Sequence, residues 1–339
     1  MNTQSESHGT AHRDNDDALG RLIRQAGRRQ TPPEAVYRDV LDAASEAWRE
    51  KVRSRRRRRA AFAVAATILL GLATVGLIQR FPGSAPAPVP VAKVDHGFGP
   101  VVVKNPLDER WQTLAGSGFE LVEGARVRIG DAGGLNLRLS GNGSLRIAEQ
   151  TEISLASARD IYLDRGAVYL DTERNRGRDP IQIHTALGSL QHVGTQFEAR
   201  YTVNELRLRV REGSVLLHRG EDVMTVESGH QVIVNFEGEA ETTRISSFGD
   251  QWAWVEALAT MPDTNEQPLS AFLEWISRET GRNIHFANSD LKTRAYTTIL
   301  HGRTERLVPM EALGVMLQTT DFQYTVTGEG EILIEDRRP

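Results

Sequence analysis

Between residues 101 and 236, hydrophobic and polar positions alternate with a period of two. Short alternating runs are separated by glycine turns such as Gly133-Gly134. A half-buried β-strand has this period because successive side chains point to opposite faces. Many short strands with frequent turns predict a mainly-β domain, either a sandwich or a short β-roll. The runs are residues 135–139, 145–147, 153–155, 161–163, 168–170, 181–183, 206–210 and 232–234.

After residue 250 the period becomes helical. Residues 252–259 predict a short linking helix, and a longer helix starts at Pro268 and ends before Gly281, the usual asymmetry of helix ends. The remaining pattern predicts a small α+β domain at the end of the chain. Its predicted elements are strands at residues 283–287, 297–300, 322–326 and 332–334 and a helix at residues 308–319.

An apolar segment without charges, residues 60–78, directly follows five consecutive arginines. Its 19 residues are close to the roughly 20 that cross a bilayer core. A buried core helix fits the charged flanks poorly, and a cleavable signal peptide would have far too long an amino-terminal region. We therefore expect a single transmembrane helix with residues 1–59 in the cytoplasm and the rest outside. The arginines that orient it are Arg55, Arg56, Arg57, Arg58 and Arg59.

Residues 79–95 are rich in proline and alanine, and we interpret them as a semi-rigid linker. In the arm before the membrane segment, Thr31 to Glu34 form a helix start. The helix that follows places Tyr37, Leu41, Ala44 and Trp48 on one apolar face. This face either packs locally or binds a partner protein, and the pattern alone does not decide between them.

The 339 residues have a formal net charge of -4, which does not favour nucleic acid as a partner. The average hides a basic head and an acidic body, with net charges of +5 over residues 1–59 and -9 over residues 60–339. Such a division fits a chain whose ends lie in different compartments. Because there is no cysteine, disulfides, thiolate metal sites and cysteine nucleophiles are excluded.

No phosphate-binding glycine loop, zinc-ligand spacing or nucleophile motif is found in the sequence. His184 and His192, with Asp179 near them, are more typical of structural or exposed strand histidines than of a metal or acid–base site. The carboxylate pairs Glu120/Glu123 and Asp160/Asp164 have no recognisable catalytic partner. We therefore expect a protein that is not an enzyme and that needs no cofactor or metal.

Six sequence pieces within the β region resemble the periplasmic domain of FecR-like transmembrane regulators. They are residues 121–127, 163–169, 180–185, 193–197, 210–215 and 229–232, and the most specific is Val193-Gly-Thr-Gln-Phe197. The resemblance implies structural roles for Gly166, Gly194, Thr195, Phe197, Glu212, Gly213 and Gly229. Glycines in such motifs can adopt positive φ or permit a close backbone approach.

The last domain resembles the short domain found at the amino terminus of secretins and TonB-dependent receptors, through residues 268–272, 311–317 and 332–334. Together the two resemblances imply a regulator of the bacterial inner membrane with a periplasmic body. In that family, an outer-membrane TonB-dependent receptor, often for iron or siderophore uptake, signals to the periplasmic part. The cytoplasmic arm, an anti-sigma segment, then controls an extracytoplasmic-function sigma factor. Tyr37, Leu41, Ala44 and Trp48 are the candidate sigma-factor contacts.

The arm departs from the family pattern, because it offers one tryptophan and is short. The sequence therefore predicts five parts: an arm at 1–59, a membrane helix at 60–78, a linker at 79–95, a FecR-like domain at 96–246, and a linking helix with an α+β domain at 247–339. Two other hypotheses stay open. One is a non-signalling envelope scaffold or secretin-associated assembly protein, and the other is an anchored hydrolase with a cleft around His184.

Overall fold

The computed structural model describes residues 88–114, 116–140, 143–172, 180–302 and 307–337. Every described residue belongs to one compact unit, residues 87–339. Within these described ranges, no helix is both long and apolar enough to cross a membrane. The predicted arm and the predicted membrane helix lie outside them and stay predictions.

The described residues of the β domain form fifteen strands. They are β1 (Pro90–Phe98), β2 (Val101–Lys104), β3 (Gln112–Thr113), β4 (Glu120–Val122), β5 (Ala125–Ile129), β6 (Gly134–Leu139), β7 (Gly143–Ile147), β8 (Glu152–Leu155), β9 (Asp160–Asp171), β10 (Gln182–Thr185), β11 (Gly188–Tyr201), β12 (Glu205–Arg219), β13 (Asp222–Glu227), β14 (His230–Asn235) and β15 (Ala240–Arg244). The predicted alternation decides what is buried: Leu206, Leu208 and Val210 of β12 lie in the core, and the arginines between them do not. The mainly-β prediction is confirmed.

All fifteen strands belong to one hydrogen-bonded sheet, which folds over into two layers. The first layer runs through β15, β14, β12, β11, β9, β7, β6, β1 and β4. The second runs through β13, β12, β11, β10, β9, β8, β5, β2 and β3. A single hydrophobic core lies between them. The domain is therefore a sandwich whose layers share three strands.

The three shared strands are long and cross from one layer to the other. Residues 160–165 of β9 pair with β8 and β10, whereas residues 166–171 pair with β7 and β11. In the same way, β11 and β12 pair with each other on both sides of an irregularity in their register between residues 193 and 197 of β11. These crossings, rather than loops, close the sandwich.

The C-terminal domain follows a 3-10 turn (Asp250–Trp252) and a short helix, α1 (Ala253–Glu256). Its elements are α2 (Leu269–Thr280), β16 (Ile284–Phe286), α3 (Ser289–Thr297), α4 (Pro309–Gln318), β17 (Phe322–Val326) and β18 (Ile332–Asp336). The three strands form their own sheet in the order β16-β18-β17. Leu273, Ile276, Leu313 and Leu317 pack against it to form a separate core.

The helix ends follow local sequence. Gly281 takes the left-handed conformation, φ 65°, after α2, as expected of a helix C-terminus. Pro309 occupies the start of α4, where its missing N–H costs nothing. The Asn288 side chain accepts a hydrogen bond from the Leu291 N–H and caps α3.

Two elements differ from the sequence expectation. The predicted linker extends to residue 95, whereas β1 already starts at Pro90, because Val91 and Val94 are buried in the β core. A strand is predicted at residues 297–300, but α3 ends at Thr297 and only an isolated bridge to Ile299 follows. Helix α3 has no strong periodic signal, since it buries only two side chains.

Candidate functional site

Three glycines lie where the long strands cross between the layers. Gly166 in β9, Gly194 in β11 and Gly213 in β12 have positive φ values of 94°, 61° and 76°. A Cβ on Gly213 would lie 2.5 Å from the carbonyl oxygen of Gly194, and one on Gly166 would lie 2.3 Å from Thr151 Oγ1. Glycine is therefore required twice over at both places, by conformation and by space. Around Gly194 there is open space, so only its conformation matters.

The other residues singled out by the family motif lie at the same crossings. Phe197 is fully buried in the β core. Thr195 is buried beside it: its carbonyl accepts from the Thr172 N–H, and its own N–H donates to the Thr172 hydroxyl. Gly229, with φ 74°, turns the chain between β13 and β14 and donates its N–H to the Val210 carbonyl. Glu212 contacts the C-terminal domain.

The outer face of the first layer is polar and yet largely buried. The linking segment, residues 246–268, crosses this face, and the carboxyl end of α2 packs on it. The Trp252 ring meets Tyr169 edge-on at 6.0 Å, and Trp254 Nε1 donates to Glu198 Oε2 at 3.4 Å. Burial raises the pKa of the Tyr169 hydroxyl strongly. The polar strand residues buried on this face are Asn136, Arg146, Asp171, Gln196, Glu198 and Arg211.

Arg146 and Glu279 form the most buried ion pair of this contact. Arg146 lies on β7 and Glu279 on α2, their oxygen and nitrogen are 2.8 Å apart, and the side chains are 2% and 7% exposed. A second Arg146 nitrogen donates to the Val255 carbonyl at 2.9 Å. Breaking such a pair leaves a buried charge without its partner. The ion pair therefore opposes separation of the C-terminal domain from the FecR-like domain.

Arg211 of β12 binds two residues of the linking segment and one residue of α2. Its guanidinium donates to the Ser247 carbonyl at 2.6 Å, to the Glu279 carbonyl at 2.8 Å and to the Glu256 carboxylate at 3.4 Å. It also lies over the Trp252 ring, 4.9 Å from its centre. Burial raises the pKa of the Glu256 carboxyl, although Arg211 opposes this effect.

Arg278 of α2 contacts β9 and β12, two of the strands that contain residues of the family motif. It pairs with Asp171 at the end of β9 and with Glu212 of β12, the latter at 3.6 Å. Gln196, between Thr195 and Phe197, donates to Asp171 at 3.0 Å and to the Arg278 carbonyl at 3.3 Å. The segment that resembles the family motif therefore forms the docking site of the C-terminal domain within this chain.

A cleft of about 420 Å³ opens beside these ion pairs. Ser144 donates to Asn136 at 2.8 Å, Asn136 donates to Thr260 at 2.8 Å, and Thr260 donates to Asp95 at 2.5 Å. Trp275 Nε1 adds a further hydrogen bond to this network by donating to the Thr260 carbonyl at 3.1 Å. These groups satisfy one another across the contact, so the cleft belongs to the contact between the domains.

The two histidines do not form a common site. His184 Nε2 lies 3.1 Å from Asp160, which lowers the pKa of that carboxyl, and its ring stacks on Tyr162. His192 is half-buried, its Nδ1 is 3.3 Å from Thr172 Oγ1, and burial lowers its pKa. Within the described ranges no cluster of histidine and carboxylate side chains could hold a metal ion.

The remaining candidate residues lie outside the described part of the chain. They are the proposed sigma-factor contacts Tyr37, Leu41, Ala44 and Trp48 and the topology residues Arg55, Arg56, Arg57, Arg58 and Arg59.

Residues 125–216 match the family model described as FecR protein. These residues form a FecR-like domain. The match spans β5 to most of β12, and so includes Arg146 together with Gly166, Gly194 and Gly213. The resemblance expected from the sequence is confirmed for this part of the chain.

Two crystal structures, at 2.50 Å and 1.65 Å, are also similar to the chain. Both describe a candidate anti-sigma factor from Parabacteroides distasonis ATCC 8503. The identity is 16%, the similarity covers 62% of this chain and 98% or 97% of the other, and the TM-score is 0.35. That TM-score carries no argument about function. No curated protein matches the chain.

The alternating sequence pattern does not reveal the buried polar face of the FecR-like domain. Arg146, Glu198 and Arg211 occupy the polar positions of alternating strands, which the pattern assigns to solvent. The available signal was the density of charge in residues 205–212, together with the two tryptophans, Trp252 and Trp254, in the segment that follows the sandwich.

Proposed function

We propose that the chain is a signal-transducing regulator of the anti-sigma type that relays a signal from outside the inner membrane to the cytoplasm. The FecR match of residues 125–216 is the observation that carries this proposal. The protein acts by protein–protein contact rather than by catalysis, and the lack of a catalytic motif in the sequence supports that view.

The proposed topology rests on sequence. Residues 60–78 form the single membrane span, and the arginine run before them keeps residues 1–59 in the cytoplasm. The FecR-like domain and the C-terminal domain are then periplasmic. The cytoplasmic partner is an extracytoplasmic-function sigma factor, bound through the face that includes Tyr37 and Trp48.

The periplasmic partner is the signalling domain of an outer-membrane TonB-dependent receptor, in a system for iron or siderophore uptake. It binds the C-terminal domain, where β16 is an edge strand of the sheet that the described residues form. The buried contact supports a relay of this kind, because Arg146, Arg211 and Arg278 connect that domain to the FecR-like strands. A displacement of α2 would therefore act directly on β7, β9 and β12 through these contacts.

Co-purification tests the cytoplasmic half of the proposal. The full-length chain, expressed in its own host, should recover a sigma factor, and a Tyr37→Ala/Trp48→Ala variant should lose it. A Tyr296→Ala variant serves as the control, because Tyr296 is an exposed aromatic residue of the C-terminal domain.

RNA profiling of a deletion strain tests the output. Transcripts of one sigma-factor regulon should change together, including that of an outer-membrane receptor. A deletion without any transcriptional effect, combined with failure to recover a sigma factor, would refute the proposal.

A further inference from the structure

Four charged side chains meet on the outer face of the first layer, beyond the part covered by α2. Glu198 and Arg200 lie on β11, and Arg209 and Arg207 lie opposite them on β12. The nitrogens of Arg207, Arg200 and Arg209 are 2.9, 3.4 and 3.6 Å from the carboxylate oxygens of Glu198. We call these four residues the arginine cluster.

The cluster carries more positive charge than its own partners neutralise. One carboxylate faces three guanidinium groups, which leaves a net charge of +2. In the ranges that the structure describes, no second carboxylate lies within 4.0 Å of these three arginines. Glu205 is on the same face of β12, but it makes no such ion pair. The excess is unusual in a body with a net charge of -9 over residues 60–339.

Burial places the negative charge beneath the positive ones. The Glu198 side chain is 0% exposed, whereas those of Arg200, Arg207 and Arg209 are 35%, 20% and 18% exposed. Each guanidinium has five N–H donors, and the one carboxylate and Gln231, which accepts from Arg209 Nε at 2.6 Å, cannot use them all. Arg207 Nε is buried and has no hydrogen-bond partner among the described residues.

The three guanidinium groups of the arginine cluster repel one another. Burial lowers the pKa of Arg209, Glu198 opposes this effect, and the neighbouring Arg207 and Arg200 add to it. A purely structural role for Glu198 needs fewer cations, since Trp254 Nε1 already donates to one of its oxygens. A second anion above the cluster would relieve the repulsion and use the free donors.

We propose that the arginine cluster binds a phosphate group. A phosphate monoester carries a charge of about -1.5 to -2 at neutral pH, which matches the excess of +2. Its three terminal oxygens suit three guanidinium groups, which pair with phosphate in a bidentate way. The site lies beside Trp254 in the segment that leads to the C-terminal domain, and it is independent of the proposed sigma-factor function.

Calorimetric titration of the full-length chain in neutral detergent, at constant ionic strength, tests the site with three probes. Inorganic phosphate represents a free ion, glycerol 3-phosphate a soluble ester and dihexanoyl phosphatidic acid a lipid headgroup. Saturable binding of any of them supports the site, and the probe that binds tightest identifies the source. Dihexanoyl phosphatidylcholine should not bind.

Arg200→Gln should weaken binding about tenfold, the loss expected for one charge-assisted hydrogen bond. Arg200 is the most exposed of the three, so Arg207 and Arg209 still neutralise Glu198 and the fold is retained. Arg126→Gln is the matched control, because Arg126 is a strand arginine that faces a single carboxylate, Asp164, at 4.0 Å. It should leave binding unchanged.

Glu198→Gln should tighten binding about tenfold, since it raises the net charge to +3 while keeping the shape of the side chain. A merely structural cluster would not show this opposite sign. If that variant does not fold, Arg200→Gln still decides the question. Absence of saturable binding for all three phosphate probes, equal weakening by Arg126→Gln, or preference for a tetraglutamate peptide over phosphate would overturn the proposal.

Discussion

Replacing Glu279 by alanine should cost about 3–5 kcal/mol of the free energy of unfolding, because it leaves the Arg146 guanidinium buried without its partner. The two side chains are 7% and 2% exposed, and their charged atoms are 2.8 Å apart. The other contacts of Arg146, the Val255 carbonyl and the face of the Tyr169 ring, carry no negative charge that could replace Glu279. The cost should therefore exceed that of any surface ion pair in this chain.

A double variant separates the pair from its burial. Arg146→Met combined with Glu279→Leu removes both charges and keeps the volume, so its stability should lie within about 1–2 kcal/mol of the wild type. Asp336→Ala is the exposed control: its partner Arg294 and Asp336 itself are 42% and 56% exposed, and the loss should be at most about 1 kcal/mol.

Urea unfolding of the full-length chain in detergent, followed by tryptophan fluorescence, measures these differences. A loss below about 1 kcal/mol for Glu279→Ala, equal to that of Asp336→Ala, would refute the argument. It would mean that the contact opens readily to water, and the proposed rigid connection between the C-terminal domain and the FecR-like domain would fail with it.

Three further predictions concern the FecR-like domain, all measured by the free energy of unfolding of the same chain. Phe197→Ala should cost about 3–5 kcal/mol through the cavity it leaves. Val223→Ala, at a position 56% exposed, should change stability by no more than about 0.5 kcal/mol. Similar losses for the two variants would contradict the assignment of Phe197 to the core. Gly213→Ala should cost at least about 3 kcal/mol, because strain at φ 76° adds to a clash with a carbonyl oxygen. Gly220→Ala, at φ 60° in open space, should cost only about 1–2 kcal/mol. Equal costs for the two variants would exclude the clash. Burial lowers the pKa of His192 in the folded protein, so the unfolded chain binds this proton more readily. The free energy of unfolding should therefore fall as the pH drops below about 6.5. The His192→Gln variant should lose less stability between pH 7.5 and 5.5 than the wild type, and parallel pH profiles would contradict this.

Much of the fold follows from periodicity. Leu206, Leu208 and Val210 lie in the core as their alternation predicts, and α2 and α4 lie within a residue or two of their predicted bounds. Local end signals such as Gly281 are strong because they act within a few residues. Helix α3 was not predictable in this way, since it buries only Leu291 and Ala295 and its other positions carry no pattern.

The place of the motif residues in the fold could not be predicted from the sequence. The sequence marks Gly166, Gly194 and Gly213 as structural; only the register shows that each lies where a strand crosses between layers. A glycine signal reports a local backbone requirement, whereas a layer crossing depends on which distant strands pair with each half.

By itself, the amino-acid sequence determined the mainly-β body, the α+β end, the FecR resemblance and the charge division along the chain, because these depend on near neighbours and on composition. Only the tertiary structure decided that Arg146, Glu198 and Arg211 are buried. An alternating strand has one polar face, and its sequence does not record whether water or another domain covers it. Coverage depends on distant residues, 133 positions apart in the Arg146–Glu279 pair, and such contacts exist only once both domains have folded.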